Sequence, residues 1–117
     1  MWTVAESIVK LNDAFEERGR GDFLASTDFE DVICLFNGRA SIVAEIAADA
    51  QLAPVLGRKF SAYLAAPELE DAVDGFIQTE PNSAARKATV MARFRDIAAL
   101  APDVGRKAGE AANLPFA

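Results

Sequence analysis

The sequence predicts an all-α fold, a compact array of about five to six helices in a single domain. Three observations lead there. Apolar residues recur at spacings of three and four along nearly every segment. No segment shows the strict alternation of a half-buried strand. Most of the glycines and prolines, with an N-G pair, fall between the periodic runs or in their first turns. At 117 residues, 51% apolar and 26% charged, the chain can bury one core without disulfides or metal. The helical domain is expected over residues 1–102, followed by a loosely ordered, flexible tail at 103–117 whose apolar residues are Leu114 and Phe116.

The first helix is expected over about residues 2–17, with Val4, Ile8, Leu11 and Phe15 on one face and Glu6, Lys10, Asp13 and Glu17 elsewhere. Gly19 and Gly21 end it. A second helix should start after Thr27, with the Thr27 hydroxyl and Glu30 forming a reciprocal cap, and should bury Phe29, Val32, Ile33 and Phe36. It lies antiparallel to the first. Asn37 and Gly38 supply its stop, and Ser41 caps a short third helix through Ile42, Val43 and Ile46.

A fourth helix begins between Asp49 and Pro54, which sits in its first turn, and presents Leu52, Val55, Leu56, Phe60, Tyr63 and Leu64 before ending near Ala66. Pro67 opens a fifth helix that buries Leu69, Val73, Phe76 and Ile77. Asn82 or Ser83 caps a sixth, carrying Val90, Met91, Phe94, Ile97 and Leu100 and closed by Pro102.

Composition narrows the function. A net charge of −6 disfavours direct binding to DNA, because a phosphate backbone is neutralised by clustered Lys and Arg. No window reaches the roughly 18 apolar residues of a membrane span, and the first residues lack the layout of a signal peptide, so a soluble cytoplasmic protein is expected. Cys34 lies in the apolar run DVICLF and is expected to be buried as a small hydrophobe. The absence of histidine rules out a Cys/His dyad or a Cys/His zinc site and removes the commonest general base near neutral pH, so no intrinsic metal or cofactor is expected.

The stretch RGRGDFLASTDFEDVI at 18–33 holds most of the candidate chemistry. Arg18, Arg20 and the exposed amides of the glycines could hold phosphate, although the spacing matches no established phosphate loop and also suits a simple helix-terminating loop. The tripeptide Arg20, Gly21, Asp22 occurs in adhesion proteins, but three residues recur by chance. Asp28 and Asp31 share one face of a helix start, where they either complement the helix dipole or orient a magnesium nucleotide. Lys10 is either a snorkelling surface lysine or an amine that reaches the Asp28 region.

The longer stretch KLNDAFEERGRGDFLASTDFEDVICLFNGR resembles a motif of bacterial nucleotidyltransferases of the abortive-infection, AbiEii-like and related toxin type. Its R-G-R-x-D-F-x-A-S-x-D-F-x-D-V run, from Arg18 to Val32, carries the likeness, which extends more weakly over residues 4–101. The resemblance implies the C-terminal helical half of such an enzyme. In that family the N-terminal half supplies a glycine turn for the triphosphate and D-x-D carboxylates for magnesium, and this chain contains neither. The resemblance places a catalytic lysine and aspartate on Lys10 and Asp28, with Arg18, Arg20, Asp22 and Asp31 as supporting nucleotide-binding positions.

The resulting expectation is a helical module without independent catalysis, acting in binding or by complementing a separately encoded N-terminal half, with Mg2+ and nucleotide entering only in that pair. Two alternatives remain, a magnesium-dependent nucleotidyltransferase component using Lys10 and Asp28, and a folded remnant without activity. A homodimer through an apolar face around Trp2 and Val4 is a further partner expectation.

Overall fold

The computed structural model describes residues 2–17, 22–24, 26–78 and 80–102. The described residues form α1 (Val4–Glu17), α2 (Thr27–Gly38), α3 (Ile42–Ala47), α4 (Leu52–Ala65), α5 (Glu68–Ile77) and α6 (Ser83–Ala98), and none is in a strand. The all-α expectation is met. The predicted tail at 103–117 lies outside the described residues, as do Arg18 and Arg20.

The start of α1 is fixed by a capping box that the T-V-A-E sequence encodes. The amide of Thr3 donates to Glu6 Oε1 at 2.9 Å, and the amide of Glu6 donates to Thr3 Oγ1 at 3.1 Å. The helix then buries Ala5, Ile8, Asn12 and Phe15. Val4 and Leu11 are only half-buried, so the inward face is turned from the one that apolar spacing suggested, and a polar Asn12 occupies a core position.

At α2 the cap is Ser26 rather than Thr27. Its hydroxyl accepts the amide of Phe29 at 3.1 Å from an extended backbone, and Ser26 is only 4% exposed, so water cannot stand in for it. Asp28, not Glu30, then stands two residues after the cap, and the proposed Thr27–Glu30 box does not form. The inward stripe is the predicted Phe29, Val32, Ile33 and Phe36. The helix also runs through Asn37 to Gly38 before stopping, because its last carbonyls find a partner on another helix. Arg93 Nη1 on α6 donates to Phe36 O at 2.6 Å and Asn37 O at 3.4 Å.

Cys34 is exposed on the outer face of α2, against the expectation of burial. Its thiol is pushed up from its ordinary pKa by partial desolvation of the sulfur and then by the negative charges of Glu30, Asp31 and Glu80, so the reactive thiolate is disfavoured.

The remaining starts fall where the sequence places them but are closed in different ways. Ser41 precedes α3 without capping it, its hydroxyl donating instead to Glu45 Oε2 at 2.6 Å. Asp49 Oδ1 accepts the amides of Gln51 and Leu52 at 3.1 and 2.9 Å and so opens α4, with Pro54 in the first turn as expected. Asn82 takes a left-handed conformation (φ 57°, ψ 43°) before α6 with no side-chain cap, a conformation that Asn tolerates better than most residues.

The helices enclose one core. The rings of Phe15, Phe23, Phe29 and Tyr63 touch one another at centroid distances of 4.8–5.9 Å. Phe36, Phe60 and Phe94 form a second group at 4.7–5.2 Å. Tyr63 joins the two through Phe60 at 5.3 Å, and Phe29 through Phe94 at 6.2 Å. The chain after α6 closes over α4 at Gly57. A Cβ built there would lie 2.7 Å from the Ala101 Cα and 2.8 Å from the Leu100 carbonyl carbon, both backbone atoms that cannot rotate away.

Gly57→Ala should therefore destabilise the protein by at least about 2 kcal/mol, although alanine is the better helix former. Chemical denaturation checks this, and an unchanged midpoint would mean that the 99–102 turn is not seated on α4.

Candidate functional site

The predicted site residues are distributed around α1 and the start of α2. Asp22 Oδ1 accepts the amide of Leu24 at 3.0 Å, a turn that sends Phe23 into the core while Leu24 stays 56% exposed. Asp22 is thus a turn former with its carboxylate on the surface. Asp28 is half-buried in the first turn of α2, and Asp31 is exposed one turn further on. Asp28 complements the helix dipole, whereas Asp31 lies beyond the first turn, where that effect has faded.

Lys10 lies elsewhere. With about 3.6 residues per turn, it projects from the face of α1 opposite Ala5, Ile8, Asn12 and Phe15. The start of α2 packs against the inward side, where Phe15 meets Phe29 at 5.0 Å. The Lys10 ammonium sits 5.0 Å from the centroid of the Trp2 ring, a cation–π contact at the outer end of the helix. Lys10 and Asp28 therefore face different sides of α1. Among the described residues no group of three or more Asp, Glu or Cys side chains stands close enough to hold a metal ion.

What surrounds Lys10 is a surface trough that begins at Trp2, itself 58% exposed. Trp2, Ser7, Lys10 and Leu11 border one hollow. A second hollow shares Trp2 and Lys10 and is completed by Glu6, Val9, Asp49, Gln51 and Leu52. A third shares Asp49 and Gln51 and continues past Thr3, Ala48 and Glu45. The trough thus runs along the outer side of α1 and across the turn between α3 and α4. Apart from the exposed Leu24, no other large apolar side chain is exposed to this degree among the described residues.

No family model, curated protein or solved structure matches the chain. The nucleotidyltransferase resemblance therefore rests on its motif residues alone.

The scaffold under the trough is firmly held. On the inward-facing flank of α1, Glu16 accepts Lys59 Nζ at 2.6 and 2.7 Å and the Tyr63 hydroxyl at 2.9 Å, joining α1 to α4. Burial, then the hydrogen bond to Glu16 and its charge, raises the Tyr63 phenol well above its ordinary pKa, so it stays a donor. At the far end of the trough, Arg39 grips Glu45 through two bonds of 2.6 and 2.9 Å, and with the Ser41 hydroxyl this lowers the Glu45 carboxyl to about 2. Glu45 is thereby occupied by its own partners.

Sequence reasoning named Trp2 only as part of an apolar dimer face with Val4, not beside Lys10, and passed over Asn12 altogether. Asn12 is 1% exposed, and neither its Nδ2 nor its Oδ1 has a hydrogen-bond partner. The available signal was its position, four residues after Ile8 and three before Phe15, on the stripe that the helix buries. An unsatisfied buried amide costs about 1–3 kcal/mol. Asn12→Leu, which keeps the branching and heavy-atom count of the side chain, should accordingly raise the thermal midpoint and stabilise by about 1–2 kcal/mol. A lowered midpoint would show that the Asn12 amide is satisfied by water inside the core.

Proposed function

We propose that this chain is a non-catalytic helical module that docks onto a partner protein through the outer side of α1. The observation that carries this reading is Trp2. An indole left 58% exposed at the head of a helix whose opposite face is sealed is a large apolar group held where a partner can cover it. The trough alongside it, with Val9, Leu11 and Leu52 half-buried in its floor, gives such a partner more than a single ring to contact.

The placement of Lys10 shifts the balance away from catalysis by the chain alone. An ammonium held over Trp2 on the outer face of α1 serves an interface more directly than a nucleotide held at the start of α2. The resemblance suggests which protein the partner is, a separately encoded half bearing a glycine turn and D-x-D strand, with magnesium and nucleotide bound there. The exposed Trp2 also suits a second copy of the chain, but Val4, the other residue expected on a dimer face, is half-buried against the core.

Affinity capture from cells of the source organism, with the wild-type chain and with Trp2→Ser, tests the reading. The expected result is a partner retained in about one-to-one ratio by the wild type and lost with the variant, with a glycine turn and a D-x-D strand in its sequence. Equal retention by both chains, or none by either, would overturn docking through Trp2.

A further inference from the structure

We infer that the trough receives a basic amphipathic segment of the partner, whose apolar side chain fills the hollow between Trp2 and Leu11 and whose Lys or Arg displaces Lys10 from the indole. This rests on the docking reading above and adds the chemistry of the partner. The hollow bordered by Trp2, Ser7, Lys10 and Leu11 is a shallow, open depression of about 420 Å³ whose surface is almost wholly apolar, so its occupant is an aliphatic or aromatic side chain.

The wider rim is acidic. Glu6 and Asp49 line the adjoining hollow, and Asp13 and Glu17 are exposed further along α1. Lys10 is the one basic residue in the whole of α1. With a net charge of −6 on the chain, a second copy would bring one acidic rim against another, whereas a segment bearing Lys or Arg is attracted and steered in.

Lys10 shows what the indole face accepts. Its ammonium already occupies that face at 5.0 Å from the ring centroid, so in the free protein an internal cation holds the place of the incoming one. A partner cation covered by the interface gains more from the same face than Lys10 does in water, because the contact strengthens as it is desolvated. Lys10 is then a competitor, and removing it should strengthen binding. The opposite holds if Lys10 is itself the group that engages the ligand.

The experiment titrates the full chain with a synthetic amphipathic peptide of about 14 Leu and Lys residues and with its Leu and Glu counterpart, each long enough for about four helical turns. Emission from Trp2, the only tryptophan, is the readout. The Leu/Lys peptide should shift the emission to the blue and saturate, and the Leu/Glu peptide should not. Lys10→Ala should tighten the Leu/Lys interaction by about two- to fivefold, the scale of an exposed cation–π contact. Asp13→Asn with Glu17→Gln should weaken it, while Glu68→Gln with Glu70→Gln, an equal loss of charge at the start of α5, should not.

Equal response to both peptides, no response to either, weakening by Lys10→Ala, or an equal effect of the α5 pair would overturn the inference. Partner capture that still depends on Trp2 would in that case leave the docking reading standing with a different partner chemistry.

Discussion

The fold depends on one continuous set of aromatic contacts centred on Phe29. That ring touches Phe15 of α1, Phe23 of the connecting turn, Tyr63 of α4 and Phe94 of α6, so four helices and a turn meet through a single side chain of α2. Each buried ring contributes about 1.5–3 kcal/mol by leaving water, and well-placed pairs add about 0.5–1.5 kcal/mol. Ser26 positions Phe29 by capping α2 one turn ahead of the core. Gly57 lets the chain after α6 close over α4, and Arg93 ties α6 to the end of α2.

This arrangement determines what is left outside. Because Phe15 and Ile8 commit one side of α1 to the core and Glu16 joins that helix to Lys59 and Tyr63 of α4, the opposite side has no packing task. Trp2, Lys10 and the acids near them stand on that side. The indole and the Lys10 ammonium are thus displayed on a helix already fixed to the core, the kind of preorganisation that lowers the cost of association.

Much of the fold was legible because helical periodicity and punctuation are strong local signals. The stripes of α2 and α6, the starts at Pro54 and Pro67 and the all-α class were readable from residue spacing. The errors came where two adjacent residues could serve one role. Ser26 and Thr27 both carry a hydroxyl, and only the seating of Phe29 decides that Ser26 is the cap. Cys34 sits among apolar residues in sequence, yet the turn of the helix carries it outward while Ile33 goes in. Asn12 was hidden by its polarity, since a core stripe is sought among apolar residues. For the site, charge spacing picked out Lys10, Asp28 and Asp31, but spacing within a helix cannot say which neighbouring helix a side chain faces.

The central claim is that the core closes without Trp2 and leaves its indole open to solvent. The most direct test is the accessibility of Trp2 in the free chain, measured as quenching of its fluorescence by the neutral quencher acrylamide. The account predicts red-shifted emission quenched nearly as efficiently as a free indole. Blue-shifted emission that resists quenching would contradict it, because Trp2 would then be packed inside the protein or an assembly of it, and the outer side of α1 would have no free anchor to offer.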